Sequence, residues 1–188
     1  MCLYKRVYVI EKRNIERRHE MILIVNTTSD LSVTDKLRNL TDSKGIDAEF
    51  IECTELKINP CIGCNHCWLK TPGICSIKDD YEKILKAFLK ADQMWVISDT
   101  ALGGVDHKGK NVIDRIIPAA TMYLKFEGDQ MRHYRRYDSV TDFGLIVTGE
   151  GDMEFLKLWN QRVAVNFGSK SIGVFKAGRE EEAVACMY

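Results

Sequence analysis

The stretch "MILIVNTTSDLSVTDKLRNL" (residues 21–40) decides the fold class of this chain. It opens with a short apolar run rich in β-branched residues, 21–25, which predicts a buried strand. A polar loop follows, and then Leu37 and Leu40 fall on one face of a predicted helix. A buried strand that runs directly into a helix is the first half of a β–α unit, which is typical of α/β proteins.

The same order of strand and helix recurs along the chain. Further apolar runs predict strands at 47–53, 93–98, 143–148 and 171–177. Helical patterns lie between and after them, at 79–92, 111–117 and 151–168. Continuous apolar strands alternating with helices predict a doubly wound parallel sheet of the α/β class, with helices on both faces. Residues 121–142 are the one long segment for which no regular element is predicted.

Capping residues mark the ends of the predicted helices. Ser32 and Asp35 form the S-x-x-D pattern of a helix start, and Asp79 or Asp80 caps the helix after the second strand. Gly168 follows the last long helical pattern, in the position where helices commonly end. The chain finishes in "REEEAVACMY", so we expect the last helix on the sheet to be short or absent.

Composition limits the classes of function. The 188 residues fit a single domain over 21–188, preceded by an N-terminal extension over 1–20 with a short edge strand at 6–10. Lys and Arg equal Asp and Glu at 27 each, which predicts no nucleic-acid partner. No apolar run approaches the roughly 20 residues that span a bilayer, and no signal peptide is recognisable. We therefore predict a cytoplasmic protein without a membrane partner.

Ligands of open α/β sheets bind beyond the carboxyl ends of the strands. Three predicted loops leave those ends: the β1 loop (residues 26–32), 98–104 and 148–152. The hydroxyls of the β1 loop could hold a phosphate at the following helix, or simply form a capped polar turn. Gly103 and Gly104 would allow a flat ligand to approach the backbone. Neither a dinucleotide fingerprint nor a P-loop motif occurs.

Four of the seven cysteines lie in "NPCIGCNHCWLKTPGICSIKDD", the cysteine loop (residues 59–80). Cys61, Cys64, Cys67 and Cys75 are spaced C-x2-C-x2-C-x7-C, and the first three match the tight run of ferredoxin-type cluster loops. A zinc site is a second interpretation, and thiols that bind no metal are a third. Cys53 is predicted to pack in its strand. His133 lies in a basic stretch that predicts a solvated face or contact with an anionic cofactor.

Over residues 21 to about 178 the chain resembles the flavodoxin-like, NADPH-dependent FMN reductases, including the iron–sulfur flavoproteins. The resemblance is carried by "PCIGCNHCWLKTPGICSIKDD", "GKNVIDRIIP" and "MRHYRRYD". It implies a five-stranded sheet in the order 2-1-3-4-5. It also implies an FMN-dependent NAD(P)H oxidoreductase that passes electrons through a [4Fe–4S] cluster held by the four cysteines.

The resemblance implies a set of cofactor-binding residues as well. In and just after the β1 loop, Thr27, Ser29, Ser32 and Thr34 would hold the FMN phosphate. In the next loop, Thr100, Ala101, Leu102 and Gly103 would lie beside the flavin ring. Hydride transfer to a flavin requires no protein acid or base, so no catalytic residue is predicted.

An unknown electron acceptor and a homodimer or homotetramer are also implied, with residues 121–142 and the cysteine loop as the predicted contact. The alternative function is a flavodoxin-like domain that has lost FMN and acts as a metal-binding or interaction module.

Overall fold

The computed structural model describes residues 21–187. The predicted extension over 1–20 and its edge strand at 6–10 lie outside this range, so the division of the chain into extension and domain stays a prediction.

The described residues alternate between strands and helices, as the sequence predicts. The strands are β1 (Ile22–Asn26), β2 (Ala48–Glu52), β3 (Gln93–Ser98), β4 (Thr100–Ala101), β5 (Gly104–Val105), β6 (Ala120–Glu127), β7 (Gln130–Arg135), β8 (Asp142–Val147) and β9 (Ser171–Lys176). The helices are α1 (Ser32–Lys44), α2 (His66–Leu69), α3 (Tyr81–Phe88), α4 (His107–Asp114), α5 (Met153–Asn166) and α6 (Glu180–Val184), with a 3-10 turn at Ile117–Ala119.

Five of these strands form one sheet in the order β2-β1-β3-β8-β9, and every neighbouring pair is parallel. Since β8 and β9 are the predicted fourth and fifth strands, the predicted order 2-1-3-4-5 is confirmed. The chain winds outward from β1 in both directions, so the order reverses between β1 and β3. Such a reversal opens a crevice at the carboxyl ends of these two strands.

Helices cover both faces of the sheet. The larger core contains Leu23 and Val25 of β1, Tyr81 and Phe88 of α3, and side chains of α4 and α5. The smaller core packs α1 and α6 against the opposite face, where Leu37 is fully buried. Full burial of a side chain of this size stabilises a fold by about 1.5–3 kcal/mol, so the central strands and their flanking helices supply most of the hydrophobic stabilisation.

The last helix, α6, is short, as expected, and it covers the smaller core rather than leaving it open. Ala183, Val184 and Met187 are buried there. The buried carboxylate of Glu180 accepts a hydrogen bond of 2.7 Å from Lys36 Nζ, which fastens α6 to α1.

A glycine is required where β3 and β8 lie side by side. A Cβ on Gly144 would come within 2.3 Å of the fully buried ring of Trp95. Because that ring cannot move within the sheet, no larger residue fits in β8 at this position.

The sequence-based prediction is wrong for the segment 121–142. It forms an antiparallel hairpin, β6 paired with β7, in a separate two-stranded sheet. Its strands contain no continuous buried run, and even the apolar residues Met122, Tyr123 and Leu124 in the middle of β6 are exposed. Tyr123 and Phe126 are 69% and 77% exposed.

The starts of two helices, α1 and α4, also differ from the prediction. α1 begins at Ser32, so the hydroxyl of Ser32 does not cap it, and Leu31 at the cap position makes no side-chain hydrogen bond. α4 begins at His107, four residues before the predicted start at 111. Asp106 caps this helix by accepting a hydrogen bond of 2.9 Å from Gly109 N.

Candidate functional site

The β1 loop satisfies its own polar groups. The Asn26 amide, fully buried at the end of β1, donates to Asp30 O (3.0 Å) and Thr34 Oγ1 (2.9 Å). Its oxygen accepts from the backbone N and the hydroxyl of Thr28, both at 2.9 Å. The Thr27 hydroxyl donates to Ile97 O in β3 (2.9 Å). Thr27 and Thr34, two of the four predicted phosphate ligands, are therefore buried in internal hydrogen bonds.

The other two predicted phosphate ligands, Ser29 and Ser32, are exposed. The carboxylate of Asp30 already accepts a hydrogen bond of 2.9 Å from Ser32 N at the start of α1. This contact with Ser32 lowers the pKa of Asp30. The carboxylate of Asp30 therefore places negative charge at the start of α1, and the predicted phosphate contacts of this loop stay a prediction.

The second predicted loop is a small hairpin. Thr100–Ala101 pairs with Gly104–Val105, and Leu102 and Gly103 form its turn with φ angles of 52° and 81°. The Leu102 side chain is fully exposed at the tip. Asp99 is also exposed, and its carboxylate accepts from Thr100 N and Thr148 Oγ1, both at 3.2 Å. Neither Asp99 nor Leu102 fills the crevice at the carboxyl ends of β1 and β3.

The third predicted loop, 148–152, packs directly on this hairpin. Asp152 N donates to Gly103 O at 2.9 Å, and Thr148 N donates to Ser98 O at 3.1 Å. A Cβ on Gly149 would lie only 2.3 Å from the hydroxyl oxygen of Thr100. The loops after β3 and β8 thus form one closed surface.

An open cavity of about 380 Å³ lies next to Thr27, between α4 and the segment 53–60 that leads into the cysteine loop. We call it the α4 cavity. Its lining is Thr27, Cys53, Thr54, Leu56, Ile58, Pro60, His107, Lys108, Asn111 and Val112. One wall is apolar and the other carries an amide and a cation. Of the predicted cofactor ligands only Thr27 borders it.

Sequence reasoning missed the polar residues of the α4 cavity, Lys108 and Asn111, because it placed the start of the helix too late. The signal was Asp106, a capping residue three positions before Gly109. Cys53 borders the cavity and packs against the larger core, as predicted. Burial, with a smaller effect from the charge of Glu52, raises the pKa of the Cys53 thiol to about 12, so this thiol is inert at neutral pH.

The four thiols of the cysteine loop differ in exposure, and only one of them is buried. Cys67 lies in α2 and is 9% exposed, while Cys61 and Cys64 are exposed and Cys75 is half-buried. Burial raises the pKa of Cys67, and the nearby thiols of Cys75, Cys61 and Cys64 raise it further. A hydrogen bond with Ser76 (3.2 Å) lowers the pKa of Cys64.

A buried ion pair fastens both ends of the cysteine loop. Asp79 Oδ2 accepts from Asn59 N (2.9 Å) and from Arg115 Nη1 (2.5 Å), and the Asp79 and Arg115 side chains are 0% and 2% exposed. Arg115 also donates to Asn59 O at 2.9 Å and to Cys75 Sγ at 3.5 Å. Burial raises the pKa of Asp79, but the hydrogen bonds from Arg115 and Asn59 outweigh it and lower the pKa to about 2.

A second guanidinium holds the middle of the cysteine loop. Arg136 donates to Pro118 O (3.1 Å), Ala120 O (3.3 Å) and Cys67 O (3.5 Å). Trp68 Nε1 donates to Ile117 O at 3.1 Å. The loop is therefore bound to the turn after α4 and to the hairpin, and two permanent cations lie near the thiols.

The cysteine loop has the chemistry of a cluster site, since four soft thiol donors lie beside two cations. Within residues 21–187, no three His, Cys, Asp or Glu side chains converge closely enough to hold a single metal ion. A four-iron cluster is wider than one ion and holds its thiolates further apart. The donor set has the chemistry of a cluster site, and within 21–187 the sulfurs do not form a ready single-ion site.

Comparison with curated proteins finds iron–sulfur flavoproteins. One from Methanocaldococcus jannaschii is 41% identical over 93 residues, which are 50% of this chain and 46% of that protein. One from Archaeoglobus fulgidus is 34% identical over 90 residues, 48% of this chain and 43% of that protein. Over these 90 or so residues the chain is similar to the iron–sulfur flavoproteins. The match spans less than half the length of each of these two relatives, and no family model matches the chain.

Solved structures with the same fold include RosB with a bound riboflavin-phosphate intermediate, with a TM-score of 0.58 and 16% identity over 83% of this chain and 64% of that chain. A putative quinone reductase from Klebsiella pneumoniae has a TM-score of 0.55 and 15% identity over 89% of this chain and 82% of that chain. Identities this low establish the fold alone. The fold is flavodoxin-like, as the resemblance predicted.

None of the helices within 21–187 is both long enough and apolar enough to span a membrane.

Proposed function

We propose that the chain is an FMN-dependent NAD(P)H oxidoreductase with a [4Fe–4S] cluster in the cysteine loop. The observation that carries the proposal is the similarity to iron–sulfur flavoproteins, together with four thiols in one loop whose ends the Asp79–Arg115 ion pair fastens. The proposal includes NAD(P)H as the electron donor, a separate electron acceptor and the predicted cytoplasmic location.

We infer that the α4 cavity holds the flavin. Leu56, Ile58 and Pro60 offer an apolar wall for a flat ring, while Asn111 can donate or accept hydrogen bonds at its edge. Lys108 is exposed at the rim and could neutralise a phosphate. FMN bound there would accept a hydride from a nicotinamide and pass its electrons on.

The four cysteines would hold the cluster, with Cys67 as the buried member. A bound cluster would supply transfer of single electrons. Arg115 and Arg136 lower the energy of negative charge at this position, because both guanidinium groups stay protonated at neutral pH. The ion pair of Arg115 with Asp79 keeps Cys75 near the other thiols when no cluster is bound.

The protein purified without oxygen tests this proposal by flavin and iron content. We expect bound flavin and four irons per cluster. Cys64→Ser should lose iron and keep flavin, whereas Lys108→Met should weaken flavin binding and keep iron. Lys44→Met, a lysine at the far end of α1, is the matched control and should change neither. A colourless protein that takes up neither FMN nor iron would refute the proposal.

A second function is favoured by the closed β1 loop. Asn26 and Asp30 use the donors and acceptors of this loop internally, which suits a flavodoxin-like domain that has lost FMN and acts as a metal-binding or interaction module. Iron uptake without any flavin binding would support this alternative.

We also propose that the chain assembles as a homodimer or homotetramer through the hairpin. Tyr123, Phe126 and Met131 present exposed apolar surface on β6 and β7. Light scattering after chromatography should give at least twice the chain mass, and Phe126→Ser should reduce it. A monomeric wild-type protein at all concentrations would exclude this assembly.

A further inference from the structure

A second cavity lies between the hairpin and α5, on the opposite side of α4 from the α4 cavity. We call it the hairpin groove; its volume is about 470 Å³. Buried Ile113 and Val163 line it, and Trp68, His133 and Trp159 provide aromatic surface. None of the eight residues predicted to hold FMN borders it, whereas His133, in the basic stretch with a predicted anionic contact, does.

Arg132 is the unusual residue of the hairpin groove. It is 8% exposed, yet its one side-chain hydrogen bond is to a neutral group, Asn166 Oδ1, at 2.5 Å. No carboxylate within 21–187 lies within ion-pair distance of it, whereas Lys110 at the rim is paired with Asp114. A buried cation without a counter-charge is costly, and an anion in the groove would offset that cost.

A second cation faces the same space. Arg162 of α5 is exposed, has no carboxylate partner among the described residues, and makes one long hydrogen bond of 3.4 Å to Gln130. The hairpin groove therefore carries two guanidinium groups that lack a carboxylate partner, and guanidinium groups bind phosphate and carboxylate through paired hydrogen bonds.

The aromatic surface is held in place. The rings of Trp68 and His133 lie 4.8 Å apart between centroids. Trp68 is fixed by its bond to Ile117 O, and His133 Nδ1 donates to Thr121 O at 2.7 Å. Fixed aromatic rings offer faces on which a flat ring can stack, and the guanidinium groups beside them favour a negatively charged substituent on that ring.

We propose that the hairpin groove binds a planar aromatic anion, a ring that carries a phosphate or a carboxylate. Trp68 and Trp159 contact the ring, and Arg132 and Arg162 bind the anionic group. Trp68 directly follows Cys67, so the bound molecule lies next to the cysteine loop. The inference concerns binding alone and does not depend on whether FMN or a cluster is present.

Tryptophan fluorescence of the full chain tests the proposal. Two of the three tryptophans line the hairpin groove, and the third, Trp95, is buried in the sheet. We expect adenosine 5′-monophosphate or 1-naphthoate to quench the emission, and uncharged adenosine to bind at least about tenfold more weakly. Quenching by the nucleotide alone assigns a phosphate ligand, and quenching by both assigns a broader aromatic anion site.

Variants separate the groove from non-specific binding. Arg132→Gln should weaken binding about tenfold or more, and Arg162→Gln about threefold. The matched control, Arg38→Gln, removes an exposed arginine of α1 that lies over Phe50 on the other face, and should leave the affinity unchanged. Circular dichroism checks that Arg132→Gln folds; if it does not, Arg162→Gln decides the result.

Three outcomes would overturn the proposal. They are quenching by neither anion, equal affinity for adenosine and its phosphate, and equal loss of affinity in the Arg162→Gln and Arg38→Gln variants. Calorimetric titration of the same ligands provides a second measurement that does not depend on fluorescence.

Discussion

The cysteine loop and the β1 loop are both predicted to hold a cofactor, and the structure uses their polar atoms in opposite ways. In the β1 loop, Asn26 and Asp30 satisfy the donors and acceptors of the loop itself. In the cysteine loop, Asn59, Asp79 and Arg115 fasten the ends, and the sulfurs of Cys61 and Cys67 have no side-chain hydrogen bond among the described residues. The difference lies in chemistry, because hydroxyls and amides form strong hydrogen bonds within a loop whereas thiols form weak ones.

The largest expected effect tests the ion pair of Asp79 and Arg115, which we call the clamp of the cysteine loop. Arg115→Met removes one partner of a buried ion pair and leaves Asp79 charged, so the free energy of unfolding should fall by about 3–5 kcal/mol. Urea denaturation measures it. Lys86→Met, which removes an exposed ion pair with Glu82 on α3, is the control and should cost no more than about 0.5 kcal/mol. Equal losses would mean that the clamp does not fasten the loop.

The next effect tests the closed β1 loop. Asn26→Ala leaves buried groups of Thr28 and Thr34 without their partner, and should lower the free energy of unfolding by about 2–3 kcal/mol. Ser29→Ala, an exposed hydroxyl of the same loop, should change it by less than about 0.5 kcal/mol. If Ser29→Ala cost as much as Asn26→Ala, the loop would not be closed through Asn26.

Acid should weaken the ion pair of Asp79 with Arg115. The pKa of Asp79 is about 2 in the folded protein, below its unfolded value, so its contribution is present above the unfolded pKa and is lost as the pH falls toward the folded pKa. We expect a loss of about 2 kcal/mol between about pH 5 and pH 2. The Asp79→Asn variant should show a flatter profile over this range. An unchanged profile would assign the acid sensitivity to other carboxylates.

The smallest expected effect separates the thiols from stability. Cys64 is exposed, so Cys64→Ser in the metal-free protein should change the free energy of unfolding by less than about 0.5 kcal/mol. Cys67 is buried in α2, and Cys67→Ser should cost more because it buries a hydroxyl. Thermal unfolding measures the stability of the two variants. Equal stability would contradict the assignment of Cys67 as the buried thiol and Cys64 as an exposed one.

The candidate site was harder to predict than the fold. The thiols were found because four cysteines in fifteen residues are a strong local signal. The clamp was missed because Arg115 lies 36 residues from Asp79 in the chain. The hairpin was missed because its strands lack a buried run, and its groove depends on contacts with α5 that no local pattern contains.

The sequence by itself determined the parallel sheet and its helices. Continuous apolar strands such as 22–25 and helical periodicity such as that of α3 must be buried in this arrangement, whatever the loops do. Only the tertiary structure decided which polar groups stay available for a ligand. A side chain such as Thr27 or Arg132 gains or loses its partners when distant segments meet, and its hydrogen bonds depend on those partners rather than on its neighbours in the chain.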